Sequence, residues 1–354
     1  MSKRNGQEFF LYSQRDVQIM SQYLNFVPII PDNKISHRCF SNTIDIGIMC
    51  FTKCNLACDF CCLNPQRRST PNKHILDDYL NRIENILKTI KVPPEANIQL
   101  QGGELFADFV PDEYYDCLEN FLHHLRTLLK KHGVVDIGVC CVTNLCYKKI
   151  DRAMLFCQNN NIALDTSYDF VGRFNKKYQH DLWMNNIEHL NNVYHYKPTI
   201  SIVGHLANIN EITNHNTFFK KMYSEYQLKI EPYDKFDDIE QYTTNQYQWI
   251  DFISFLIDHY PQTEPANFFI NSFKSKTRIK QESCDLVGID CLPDETWGAC
   301  CDKYKNISKM MMRFSCWQCP HYQYCPIPCP SLCTNEVCTY QKIYNKVSDV
   351  LSNR

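Results

Sequence analysis

Apolar residues in the middle of the chain recur with two different periods. In residues 43–49 apolar and polar positions alternate, which is typical of a strand buried on one face. In residues 77–91, Leu80, Ile83 and Leu87 recur at spacings of three and four, which predicts an amphipathic helix that ends at a pair of prolines. A strand followed by a helix is therefore the first predicted unit.

The same alternation continues as far as residue 235. Further strands are predicted at 98–101, 134–143, 162–167, 199–203 and 228–231, and further helices at 113–132, 151–159, 181–195 and 217–226. About six strand–helix units in succession predict an α/β fold, in which a parallel sheet has helices packed outside it. An amphipathic helix at 246–260 and a helical tail after residue 340 follow.

The chain divides into four predicted parts. They are an N-terminal extension (1–43), the α/β domain (44–235), a bridging helical segment (236–283) and a cysteine-rich domain with a C-terminal helix (284–354). A formal net charge of −2, with both signs interspersed, gives no support for a nucleic-acid partner. No apolar run of about 18 residues and no signal core are found, so a cytoplasmic protein without a membrane span is expected.

The 21 cysteines are distributed unevenly. Ten of them lie between Cys284 and Cys338, whereas residues 158–283 contain none. At 354 residues, the chain is larger than the usual secreted disulfide scaffold. Thiols concentrated in this way in a reducing compartment favour ligation of a metal or a cluster.

Three other cysteines follow the first predicted strand. Cys54, Cys58 and Cys61 have the spacing C-x3-C-x2-C, with Phe60 just before the last one. Three thiolates can hold three irons of a four-iron cluster and leave the fourth iron open to another ligand. A zinc site or a disulfide cluster is the alternative, although no fourth zinc ligand is evident nearby.

A second motif, Gln101-Gly102-Gly103-Glu104, follows the second predicted strand. The two motifs together resemble the radical S-adenosylmethionine (SAM) enzymes, whose Gly-Gly-Glu-Pro motif has Leu105 here in place of proline. The resemblance implies a partial (β/α)6 barrel and a [4Fe-4S] cluster on the three cysteines. In this family the open iron chelates SAM, and one electron cleaves SAM to a 5′-deoxyadenosyl radical that abstracts hydrogen from a substrate. The resemblance also implies sensitivity to oxygen.

Residues that bind SAM are implied by the same resemblance. Glycines let the backbone approach a ligand closely, and Glu104 can accept from the ammonium group of SAM. Thr143-Asn144 resembles the family's Thr-Asn-Gly, and Ser167-Tyr168-Asp169 resembles its Ser-x-Asp-Gly. Taken alone, each short motif also fits a turn or a helix cap. The implied SAM-binding residues are Gln101, Gly102, Gly103, Glu104, Ser167, Asp169 and Arg173.

The C-terminal cysteines resemble the SPASM domain, which adds two auxiliary [4Fe-4S] clusters to a radical SAM barrel. The resemblance implies Cys284, Cys291, Cys300 and Cys329 for the first auxiliary cluster, and Cys316, Cys319, Cys325 and Cys338 for the second. Cys301 in place of Cys300, and Cys333 in place of Cys338, stay open, as does a zinc ribbon. Asp302 is the candidate catalytic base, because a carboxylate beside a cluster can remove a proton from a substrate.

The resemblance to enzymes of this architecture implies a peptide or protein substrate, which is crosslinked, epimerised or oxidised. It also implies an electron donor such as flavodoxin or ferredoxin. The first alternative is a small molecule such as a sugar or a nucleoside, which the short N-terminal extension keeps open. The second is a zinc-binding adaptor without catalysis.

Overall fold

The computed structural model describes residues 2–4, 7–9, 27–29, 43–61, 69–88, 92–233, 242–276, 289–291, 310–312, 319–321, 324–325 and 338–352. They belong to two compact units. The first draws on Met1–Ser41, Thr244–Leu286 and Cys300–Arg354, and the second on Asn42–Thr243 and Val287–Ala299. The four-part division of the sequence remains a prediction.

The strands are β1 (Ser2–Arg4), β2 (Gln7–Phe9), β3 (Val27–Ile29), β4 (Thr43–Met49), β5 (Glu95–Gln101), β6 (Asp136–Thr143), β7 (Ala163–Ser167), β8 (Ile200–Gly204), β9 (Leu228–Pro232), β10 (Ile289–Cys291) and β11 (Met310–Met312). The helices are α1 (Lys73–Leu87), α2 (Asp112–Lys131), α3 (Ile150–Asn159), α4 (Lys177–Tyr194), α5 (Leu206–Thr213), α6 (Thr217–Glu225), α7 (Gln246–His259), α8 (Ala266–Ser275) and α9 (Thr339–Ser352).

A parallel sheet forms the centre of the second unit. Its strand order is β10-β4-β5-β6-β7-β8-β9, and each neighbouring pair runs parallel. Strands β4 to β9 follow one another in the chain with helices between them, and they curl into a half-barrel. The α/β fold predicted from the two periods is therefore confirmed.

Each strand of the half-barrel buries one face against the helices. Ile44, Ile46 and Ile48 of β4 are inaccessible, whereas the residues between them are half-buried. The buried face is the one that meets the helices. Thr166 of β7 is buried, and its Oγ1 accepts a hydrogen bond of 3.2 Å from the indole nitrogen of Trp183 in α4. The half-buried residues therefore line the concave side.

Some of the helix predictions need correction. Helix α1 starts at Lys73 and not at residue 77, because the Asn72 side chain accepts from the backbone nitrogen of His74 and caps the helix there. Helix α5 was not predicted at all. Its cap is His205, whose Nδ1 accepts from the Asn208 backbone nitrogen at 3.1 Å, and histidine is not a residue whose presence signals a helix start.

The first unit contains short antiparallel strand pairs and three helices in its described part. Strand β1 pairs with β2, and β3 pairs with β11. Phe269 of α8 packs edge-on against Tyr340 and Tyr344 of α9, with ring centroids 5.0 and 5.3 Å away. Helix α8 was also missed by the periodicity. No helix among the described residues combines the length and the apolar character needed to cross a membrane.

Candidate active site

Loops at the carboxyl ends of consecutive strands meet at one edge of the half-barrel. Residues 50–61, which we call the cysteine loop, follow β4, and Gly102–Glu104 follow β5. Asn144 follows β6, and Asp169 and Arg173 follow β7. Parallel strands end at the same edge of a sheet, and active sites of α/β folds gather there. The fold thus brings together motifs that are separated in the sequence.

Gly103 packs directly against the backbone of the cysteine loop. A Cβ atom at this position would lie 2.0 Å from the carbonyl oxygen of Lys53. The Gly103 nitrogen donates to the Phe51 carbonyl at 2.8 Å, and the Glu104 nitrogen donates to the Lys53 carbonyl at 3.1 Å. A glycine is needed here because no side chain fits between the two loops.

Glu104 is buried and joins the loops that follow β5 and β6. One of its carboxylate oxygens accepts from the Thr143 hydroxyl at 2.7 Å and from the Phe106 nitrogen at 3.1 Å. The other accepts from the Asn144 nitrogen at 2.6 Å. Burial raises the pKa of Glu104 to about 7, although these three donors oppose the rise. A carboxylate has about four lone-pair positions, so one acceptor position is left by the described donors.

Asp169 and Arg173 form an ion pair close to the cysteine loop. Arg173 donates from Nε to Asp169 at 2.6 Å, and both side chains are buried. The second Asp169 oxygen accepts from the Val203 nitrogen at 2.9 Å and from the Asn208 amide at 2.6 Å. Burial raises the pKa of Asp169, against the opposing charge of Arg173. Burial alone would lower the pKa of Arg173, but Asp169 and Cys58 outweigh it and the pKa is raised.

Gln101 and Ser167 are the last residues of β5 and β7. Both are half-buried, whereas Leu100 and Thr166 beside them are buried against the helices. Their side chains therefore lie on the concave side, near the loops that carry the other implied SAM-binding residues. The role of each of these residues remains a prediction.

Phe60 packs among aromatic rings. Its ring centroid lies 4.9 Å from that of His205 and 6.0 Å from that of Tyr242. The guanidinium carbon of Arg173 lies 5.6 Å from the Phe60 ring. His205 and Tyr242 were not singled out in the sequence. The position of His205 two residues after a predicted strand was the available signal.

The three thiols of the cysteine loop share one neighbourhood. Burial, together with the negative charges of Glu104, Cys58 and Cys61, raises the pKa of Cys54 to about 12. Burial also raises the pKa of Cys58, while the charge of Arg173 lowers it. A bound cation would offset this cost, because a coordinating thiol is deprotonated outright.

The donor set fits a cluster. Among the described residues, no three His, Cys, Asp or Glu side chains converge on a point where a single metal ion would bind. A four-iron cluster has a different requirement, since it takes one thiolate on each of three irons. Cys54, Cys58 and Cys61 would hold such a cluster.

The structure describes four of the implied auxiliary ligands. Cys291 is buried in β10, at the edge of the barrel sheet beside β4. Cys319 and Cys325 flank a turn in which the Cys325 nitrogen donates to the His321 carbonyl at 2.8 Å, and Cys338 precedes α9. The other candidates lie outside the described residues: Cys284, Cys300, Cys316, Cys329, the alternatives Cys301 and Cys333, and Asp302.

Comparison with known proteins supports the fold. No protein-family profile and no curated protein matches the sequence. The structure resembles that of Streptococcus suis SuiB bound to S-adenosylmethionine, with 14% identity, a TM-score of 0.51 and coverage of 84% of this chain and 75% of SuiB. It also resembles SuiB bound to the precursor peptide SuiA, with 12% identity, a TM-score of 0.54 and coverage of 93% and 80%.

At 12–14% identity, the likeness to SuiB concerns the fold. The present chain has the same fold, so the partial (β/α)6 barrel implied by the two motifs is confirmed. The cysteine-rich auxiliary domain remains a prediction.

Proposed function

We propose that this protein is a radical SAM enzyme whose substrate is a peptide or a protein. The observation that carries the proposal is the contact between the cysteine loop and Gly103-Glu104. This contact places three clustered thiols beside an acidic side chain and close-packed glycines, at the edge of the sheet where α/β folds bind ligands. When bound, the cluster supplies the electron that cleaves SAM.

The protein's own residues would bind and orient SAM. Glu104 has an acceptor position left for an ammonium group. Arg173 uses Nε for Asp169, and its two terminal nitrogens donate to none of the described residues. A guanidinium can bind a carboxylate through two such donors. The ammonium and carboxylate groups of SAM would therefore each have a partner at this edge of the sheet.

A peptide substrate is supported by the concave side of the half-barrel. Its half-buried positions carry polar side chains, including Gln99, Gln101, Ser167 and Ser201. Such a lining offers hydrogen bonds to a backbone or to polar side chains. SuiB, which shares the fold, has been solved with its precursor peptide. Crosslinking, epimerisation and oxidation of the peptide all remain open as the reaction.

A small polar molecule, such as a sugar or a nucleoside, would also suit a polar concave face. The two classes are separated by incubating the reduced enzyme with SAM and each candidate, and by measuring 5′-deoxyadenosine and the mass of the candidate. A mass change in a peptide that depends on SAM supports the first proposal. Formation of 5′-deoxyadenosine that is stimulated only by a small molecule supports the second.

The enzyme class itself is tested with two cysteine variants. Cys58→Ala removes an implied ligand, whereas Cys146→Ala removes a buried thiol whose sulfur lies 3.2 and 3.3 Å from the carbonyls of Asn144 and Gln179. We expect Cys58→Ala to abolish the electron paramagnetic resonance (EPR) change on SAM addition and the formation of 5′-deoxyadenosine. Cys146→Ala should retain both.

Iron content completes the test. About twelve irons per chain after anaerobic reconstitution are expected from three four-iron clusters. Four to eight irons would reassign one or both auxiliary sites. If the protein contains zinc and its EPR spectrum does not change on SAM addition, the enzyme assignment is wrong. The remaining hypothesis is then the zinc-binding adaptor without catalysis. The predicted electron donor is tested in the same assay, by replacing the chemical reductant with reduced flavodoxin or reduced ferredoxin.

A further inference from the structure

The sulfur of Cys54 receives two hydrogen bonds. The backbone nitrogen of Leu56 donates to it at 3.3 Å, and the side-chain nitrogen Nδ2 of Asn144 donates at 3.6 Å. The first is a bond within the cysteine loop. The second comes from the loop after β6, ninety positions along the chain. It is therefore made by the folded barrel and not by the motif.

The amide of Asn144 is held in one orientation. Its oxygen accepts from the Cys146 nitrogen at 2.8 Å, which identifies the other amide atom as the donor nitrogen. That nitrogen also donates to the side-chain oxygen of Asn55 at 2.8 Å. The Asn144 backbone nitrogen donates to Glu104 at 2.6 Å, and only 5% of the residue is exposed. A side chain fixed in this way holds its second N–H toward the Cys54 sulfur.

The three thiols have different surroundings. Cys58 lies near the charge of Arg173, which lowers its pKa against the larger effect of burial. No described residue donates a hydrogen bond to the Cys61 sulfur. Only Cys54 receives a side-chain donor from the residues that the structure describes. Hydrogen bonds to the sulfurs of an iron–sulfur cluster are one of the protein's means of setting its reduction potential.

We propose that Asn144 raises the reduction potential of the cluster held by Cys54, an inference that rests on the proposed function. One electron from an external donor makes the cluster more negative by one charge, and no bond to protein is formed or broken. An N–H donor on the thiolate sulfur stabilises this added charge more than it stabilises the oxidised cluster. Asn144 is thus a positioning and tuning residue, which acts on the cluster through Cys54.

The experiment compares two buried amides that support the same loop. Asn144→Ala removes the donor to sulfur. The matched control is Asn186→Ala, since Asn186 is also 5% exposed and donates to the carbonyls of Leu145 and Tyr147, both at 2.7 Å, without reaching sulfur. Asn144→Asp is the third variant. It keeps the acceptor for Cys146 and places a second carboxylate oxygen where the donor was.

The measurement is the midpoint potential of the SAM-perturbed EPR signal, titrated with dithionite in the reconstituted full-length protein. Asn144→Ala should make one-electron reduction about tenfold less favourable, which corresponds to a shift of about 59 mV to more negative potential. Asn144→Asp should shift the potential further in the same direction. Asn186→Ala should leave it unchanged, even where its unfolding midpoint in urea falls as much as that of Asn144→Ala.

Two results would overturn the inference in different ways. Equal potentials in the unsubstituted protein, Asn144→Ala and Asn144→Asp would refute the role of Asn144 alone, as would equal shifts in Asn144→Ala and Asn186→Ala. The absence of any SAM-perturbed signal in the unsubstituted protein would refute the proposed function and this inference with it. Iron content, measured on each variant, identifies loss of the cluster as distinct from a change in its potential.

Discussion

Replacing Gly103 with alanine tests how closely the two motif loops pack. The added Cβ would lie 2.0 Å from the carbonyl oxygen of Lys53, 2.2 Å from its carbonyl carbon and 2.5 Å from the carbonyl oxygen of Thr52. All three are backbone atoms, so no side-chain rotation relieves the overlap. The loops must separate by about 1.4 Å to restore an ordinary contact distance of 3.4 Å.

That separation breaks the hydrogen bonds from the Gly103 and Glu104 nitrogens to the cysteine loop. Each bond contributes about 1 kcal/mol to stability, and overpacking adds about 1–3 kcal/mol. We therefore expect Gly103→Ala to reduce the free energy of unfolding by about 3–5 kcal/mol. This is within the total of about 5–15 kcal/mol that a protein has, so the chain can still fold with the loops displaced.

Gly102→Ala is the matched control, because its nearest neighbour, the Phe51 carbonyl oxygen, would be 3.4 Å from the new Cβ. Urea unfolding without iron gives the stability of both variants. Reconstitution of the cluster, followed by EPR with and without SAM, then shows whether the protein with displaced loops still binds SAM. We expect Gly102→Ala to cost less than about 1 kcal/mol and to keep its SAM response. Equal stability and equal SAM response in the two variants would show that the loops do not pack as described.

Three further changes test the site and the C-terminal turn. Burial raises the pKa of Glu104 from 4.5 to about 7, so the folded state keeps a proton that the unfolded state loses between these values. Stability of the iron-free protein should therefore fall by about 3 kcal/mol as the pH rises through this window, and Glu104→Gln should abolish that slope in urea unfolding; an unchanged slope would contradict it. Asp169→Asn leaves Arg173 buried without its partner and should cost about 3–5 kcal/mol in the same assay, whereas a loss below about 1 kcal/mol would show that the pair is not needed. His321 forms a hydrogen bond of 2.6 Å with the Tyr324 hydroxyl, in the turn between the implied ligands Cys319 and Cys325. His321→Ala should therefore lower the iron content by about four per chain and keep the SAM-perturbed EPR signal. Full iron content would argue against an auxiliary cluster at this turn.

Local patterns in the sequence predicted the six strands of the half-barrel and most of the helices. Strand β4 matches its prediction at both ends, and helix α2 differs by one residue at each. Helix α2 also carries acidic residues in its first turn and lysines in its last, as the helix dipole favours. Period and capping act over a few residues, so they can be read without knowing the fold. Helices α5 and α8 were missed because their starts carry no Ser, Thr, Asp or Asn cap.

The sequence by itself predicted the three candidate cluster ligands, because C-x3-C-x2-C is a spacing within one loop. It also determined that strands and helices alternate, and hence that the loops after the strands share an edge. Only the tertiary structure decided which groups meet there. The Glu104 carboxylate is bound by Thr143 and Asn144, and the Asn144 amide reaches the Cys54 sulfur. These contacts depend on the register and curl of the sheet, which arise from packing between distant segments and leave no local trace in the chain.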